Sequence, residues 1–160
     1  MSHDGYIVPD EVRLFLDEDL RKNAYYAAKK LLKDSPPKDK KNKIHVGRSQ
    51  LHSIPAVIQA NGLKGLEYLI ERQRDKSIKE DKKEKDDRQV FWEFLFDLFV
   101  EDPGPKFSPR SCIKSQSQVE KLIEGNEFLM EEYVIPVYFE HFKCHYFYIA
   151  SMEQNHEQLK

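Results

Sequence analysis

The reactive side chains that stand closest together in this chain are His141, Cys144 and His145. At spacing i, i+3 and i+4 they share one face of a helix. Imidazole and thiolate both bind zinc, and three such ligands leave a fourth position open for water, as a hydrolytic centre requires. Phe142, Tyr146 and Phe147 are interleaved with the trio. That setting favours a packing role at a core edge over a zinc-dependent enzyme, so no cofactor is expected. His45 and His52 lie in a different region, and nothing in the sequence brings them to the trio. The chain has no glycine-rich phosphate loop, nucleophile elbow or HExxH. Its carboxylates sit mostly in mixed charge runs, which are usually solvated faces. The sequence reads as that of a protein that is not an enzyme.

Nucleic-acid binding has more in its favour. Net charge is −2, so the chain as a whole is no polycation, but the charge is unevenly spread. Residues 29–48 hold eight cations against two anions. Within them Lys38, Lys40, Lys41, Lys43 and Arg48 gather positive charge between two expected helices, a natural complement to phosphate. Lys64, Tyr68 and Arg72 fall at i, i+4 and i+8. A cation, a ring and a cation in one row can hold single-stranded RNA, with phosphates on the cations and a base on the ring. The plainer alternative is a solvated face, with Lys64 paired to Glu67 or Tyr68 packed on a neighbour.

These residues need helices to position them. Asp10 is a good N-cap, and Val12, Phe15, Leu16, Leu20, Ala24, Ala27 and Leu31 recur at helical spacing to about Lys33. Ser35-Pro36-Pro37 stops that helix and opens the basic loop 35–47. A second helix is expected over 48–60, with Leu51, Ile54, Val57 and Ile58 inward and Pro55 inside it. Asn61-Gly62 ends it, and a third helix begins at Leu63. The charged stretch 74–88 fits a solvated helical extension and a disordered linker equally well. A fourth helix over 88–101 is apolar almost all round, apart from the stripe Gln89, Glu93, Asp97 and Glu101. Such a helix lies at the centre of a core or faces a partner chain.

Residues 102–114 read as a proline-rich loop, followed by a short helix capped by Ser115 or Ser117 and broken at Gly125-Asn126. The aromatic stretch 127–152 reads as a helix, with a strand hairpin as competitor because of Pro136 and the β-branched Val134, Ile135 and Val137.

The chain is therefore expected to be a single all-α domain over 1–160, a bundle of about five to six helices with a flexible leader at 1–9. A hydrophobic fraction of 39% supports a real core, while six glycines disfavour a turn-rich β fold. Two cysteines, Cys112 and Cys144, are too few for a disulfide framework and point to reduced thiols. The N-terminus has no basic region followed by an apolar run, and no apolar run is long enough to span a bilayer. A cytoplasmic protein with no membrane partner is the expectation.

The stretch Gln50-Leu51-His52-Ser53-Ile54-Pro55-Ala56-Val57-Ile58-Gln59-Ala60-Asn61-Gly62-Leu63 resembles the small subunit of type III-B (Cmr-type) CRISPR effector complexes. In that family an apolar helix with an internal proline runs into Asn-Gly-Leu and then a second apolar helix, here carried by Leu66, Tyr68 and Leu69. Tyr25-Tyr26-Ala27-Ala28 suits the family's opening helix, and Tyr133 to Ala150 resembles its final aromatic helix. The charged insertion near 74–88, the loop at 102–114 and Pro136 depart from the pattern. The resemblance implies a small helical subunit without enzymatic activity. Copies of it stack along a ribonucleoprotein filament, beside the backbone subunits and touching the large subunit. Its basic face would lie along guide and target RNA, in antiviral defence.

Overall fold

A computed structural model describes residues 7–34, 48–78, 87–101 and 104–158. Those residues form helices and connections with no strand among them, so the fold is all-α. The basic segment 35–47 lies outside the described residues, as does the leader through residue 6. Of the expected charged linker, 74–78 continues a helix, and 79–86 lies outside the described residues.

The first helix starts one residue off the expected register. Pro9 occupies the N-cap, with no side-chain cap, and Asp10 is the first helical residue. A proline that needs no donor and two early acids suit a helix start. Helix α1 (Asp10–Leu14) continues through one widened π turn, Phe15–Asp19, into α2 (Leu20–Asp34). Every residue expected to face inward on this helix, from Val12 to Leu31, is buried.

Helix α3 (Arg48–Ile78) contains the two expected helices with a break between them. Gly62 sits at φ 72°, ψ −170°, a backbone state that only glycine adopts without strain. The Leu63 N–H, opening the second half, donates to Oε1 of Glu131 at 2.9 Å. A carboxylate from a distant turn thus supplies the cap. Ile54, Ile58, Leu66 and Ile70 are buried, while Val57 and Leu69 are half-buried. The side chain of Leu51 lies outside the described residues.

Helix α4 (Asp87–Phe99) is central to the core: Phe91, Trp92, Leu95, Leu98 and Phe99 are all buried. Asp97 and Glu101 of the expected polar stripe are exposed, and Gln89 donates to Glu93 at 3.2 Å. The proline-rich loop expected through 114 is shorter than its composition suggests, because α5 (Pro109–Lys114) begins inside it. Ser108 caps α5, its Oγ accepting from the Ser111 N–H at 3.2 Å, and Pro109 takes the first helical position. In α6 (Ser117–Glu124) the N-cap is Gln116, neither of the serines proposed for it.

The aromatic segment is helical, not a hairpin. A second π turn, Met130–Val134, leads into α7 (Ile135–Gln158). The widening falls where Pro136 would crowd the carbonyl four residues back, so the chain keeps a helix across the proline. Helix α7 packs mainly on α2, and α3 on α4. Their buried side chains form one cluster in which rings dominate. Phe99 stacks on Phe139 at 5.1 Å and meets Tyr138 edge-on at 5.7 Å. Tyr138 is fully buried, and its hydroxyl donates to the Phe107 carbonyl at 2.7 Å. No helix among the described residues is long and apolar enough to cross a membrane.

Candidate nucleic-acid interface

Of the side chains expected to contact RNA, those on the second half of α3 are the ones the structure describes. Leu66 and Ile70 turn into the core with no exposed surface. Lys64, Tyr68 and Arg72 therefore fall on the outward side, and all three are exposed. Tyr68 keeps 66% of its surface open to solvent, which rules out packing on a neighbour. Lys64 is not paired to Glu67 either. Glu67 instead receives Arg110 of α5, Nη2 to Oε1 at 3.1 Å. The other arm of that guanidinium donates to the Phe99 carbonyl at the end of α4. One arginine so ties three helices together and occupies the anion expected to pair with Lys64. Neither Lys64 nor Arg72 has an ion-pair partner among the described residues. Tyr68 and Arg72 line a shallow recess of about 340 Å³ with Glu71, Asp75 and Lys76. The two acids offset part of the positive charge at the Arg72 end of the row, and Lys64 stands at the other end.

Lys38, Lys40, Lys41 and Lys43 lie outside the described residues. Arg48 is the first residue of α3, and its side chain is likewise not described.

The trio on α7 does not converge on a metal. Cys144 is exposed. Nε2 of His141 stands 3.1 Å from the Leu16 carbonyl. That carbonyl is available because the Leu20 N–H bonds to Phe15 across the π turn. The ring of His145 meets Tyr25 edge-on at 5.2 Å. Its Nε2 is buried without a hydrogen-bond partner among the described residues. Burial, then His141, then Arg21 push its pKa below the usual histidine value. Three residues on one helical face thus take three different environments. Among the described residues no group of three or more His, Cys, Asp or Glu side chains could hold a metal ion. Cys112 is a buried free thiol that accepts from Asn23 Nδ2 at 3.1 Å.

A further basic surface, on α2, is absent from the expectations drawn from sequence. Arg21, Lys22, Lys29 and Lys33 are exposed there beside Tyr25 and Tyr26. The signal was present in the sequence as cations four residues either side of a tyrosine pair. Comparison with known proteins finds no family model, no curated protein and no solved structure that matches this chain.

Proposed function

We propose that the chain is a non-catalytic, RNA-contacting subunit of a type III-B CRISPR effector complex. In this reading it lies beside the backbone subunits and the large subunit, with further copies of itself, along guide and target RNA. The observation that carries it is the exposed Lys64–Tyr68–Arg72 row, with Glu67, the acid expected to pair with Lys64, taken by Arg110. The break at Gly62 also supports it, because it falls in the Asn61-Gly62-Leu63 segment that carries the resemblance. The basic loop with Lys38, Lys40, Lys41, Lys43 and Arg48 is a second phosphate-binding element in the same reading.

Affinity purification of the chain from its own cells tests this directly. The expected result is co-purification of RNA of defined length together with several other subunits. Charge reversal of Lys64 and Arg72, or of Lys41, Lys43 and Arg48, should lower the recovered RNA. It should also flatten the salt dependence by about 0.7 in log–log slope for each phosphate no longer neutralised. Recovery of a protein partner without RNA would replace this reading with a free-standing helical adaptor. The exposed Tyr148 and Met152 on α7 favour that second reading, since apolar side chains on one helix can anchor a protein partner.

A further inference from the structure

Helix α2 carries two parallel ridges on its solvent side. Arg21, Tyr25, Lys29 and Lys33 follow one another at four-residue steps, and Lys22, Tyr26 and Lys30 form the adjacent ridge. Steps of four residues advance about 6 Å along the axis. In both ridges a ring stands between cations. Tyr25 is 36% and Tyr26 47% exposed. The rings lie 6.0 Å apart at 54°, and Lys29 Nζ is 5.4 Å from the Tyr25 centroid. No acid interrupts the helix from Leu20 to Lys33. Three acids precede it, Asp17, Glu18 and Asp19; Asp19 accepts from Gln116 at 2.6 Å, and Asp17 and Glu18 are exposed. At that end a recess of about 560 Å³ opens between Arg21, Lys22, Tyr25 and His145, with Glu18 and Asp19 on its wall.

Cations in the last helical turn are common because they offset the helix dipole. That accounts for Lys33 and its neighbours. It does not account for Arg21 and Lys22, which stand a turn and more from either end of the continuous helix, nor for exposed rings between the cations. An anionic membrane is a poor fit. The apolar side of α2, Ala24, Ala27, Ala28, Leu31 and Leu32, is at most 3% exposed and buried against the core, so nothing is left to insert. Duplex nucleic acid would use the cations and leave the rings idle. A single strand uses both, with phosphates along the ridges and an unstacked base on a tyrosine.

The geometry points to the outward face of α2 as a binding surface for single-stranded RNA, separate from the α3 row. Tyr26 supplies the stacking ring, and Arg21, Lys22, Lys29 and Lys33 hold the phosphates. This surface does not depend on the effector-complex reading, since the purified chain alone should show it.

Fluorescence anisotropy of the full chain with a short labelled oligouridylate, titrated over salt, is the test. Lys29→Glu with Lys33→Glu should weaken binding about tenfold or more at low salt and reduce the salt slope by roughly 0.7 for each phosphate released. Tyr26→Ala should weaken it about fivefold or more, while Tyr26→Phe, which keeps the ring, should bind like the parent. Lys64→Glu with Arg72→Glu should leave the α2 contribution in place. The inference is overturned if the parent chain does not bind the oligonucleotide. It is equally overturned if the α2 variants, with helicity intact by circular dichroism, bind as the parent does, or if phosphatidylserine vesicles are bound and the oligonucleotide is not. None of these results touches co-purification with RNA and other subunits, so the two readings fail separately.

Discussion

His145 sits edge-on to Tyr25 between α7 and α2, with Nε2 buried and unpartnered among the described residues. Its neutral form fits this place. A proton there would be poorly hydrated and close to His141 and Arg21, so the pKa falls below the ordinary histidine value of 6.5. A histidine whose pKa is lower folded than unfolded makes the unfolded chain the stronger proton binder. Stability is then fully present above 6.5 and declines as pH falls from there through the folded value. His145→Phe keeps an aromatic edge against Tyr25 and removes the titration. Urea midpoints measured at about pH 7.5 and about pH 5.5, either side of the ordinary histidine value, should differ less for this variant than for the parent. An unchanged difference would assign the acid sensitivity to other groups. Cys112 shows the same cause on the opposite kind of acid. Burial first, and the Asp19 carboxylate second, push its thiol up to about 12. It is a small packed side chain at neutral pH, while Cys144 on α7 stays exposed.

Between elements, the break at Gly62 is the most exacting junction. A Cβ at position 62 would lie 3.0 Å from Glu131 Oε1 and would have to adopt φ +72°. Gly62→Ala should therefore cost about 1–2 kcal/mol from the left-handed backbone alone, and it would also push away the carboxylate that caps Leu63. Glu131→Ala should cost about 1 kcal/mol as a lost cap, and Glu131→Gln much less, since the amide oxygen still accepts. Chemical denaturation of the three variants checks the order. If Gly62→Ala matched the parent, the junction would not be the strained point its backbone angles indicate. One half of this junction was legible in the sequence. Asn61-Gly62 after an apolar run reads directly as a helix end, but the cap comes from a residue 68 positions away, and no local pattern announces such a partner. The same division runs through the rest. Periodicity placed α1 and α2 because a buried stripe repeats every turn, and α4 because its few polar residues do. Helix α5 was missed although Ser108-Pro109 is a cap followed by a first-turn proline, because the neighbouring prolines suggest a loop. The two π turns have no signature in residue type, though Pro136 marks where the second is needed. The α3 row was legible from spacing alone. What frees it from Glu67 was not, because Arg110 comes from another helix.

The described part of the molecule is held by one cluster running from Val12 to Tyr146, to which all seven described helices and both π turns contribute. Trp92 belongs to it, 2% exposed, with Phe91 edge-on at 5.2 Å. It is the single tryptophan of the chain, so its emission reports the core from inside α4, while far-UV circular dichroism reports every helix. Helices α2 and α7 pack on each other, α3 packs on α4, and Arg110 links α3, α4 and α5. No helix among them has a core of its own to fall back on. Unfolding should therefore be two-state, with the tryptophan and circular-dichroism transitions in urea superimposing within error. Separate transitions, with emission lost first, would mean that α2 and α7 stay paired after α4 leaves. The indole N–H of Trp92 has no hydrogen-bond partner among the described residues, so the core carries an unsatisfied donor where the probe sits. Trp92→Phe removes that donor together with part of the ring. The two effects oppose each other, and the net change should stay well below the ~3–5 kcal/mol expected of Trp92→Ala, which empties the site.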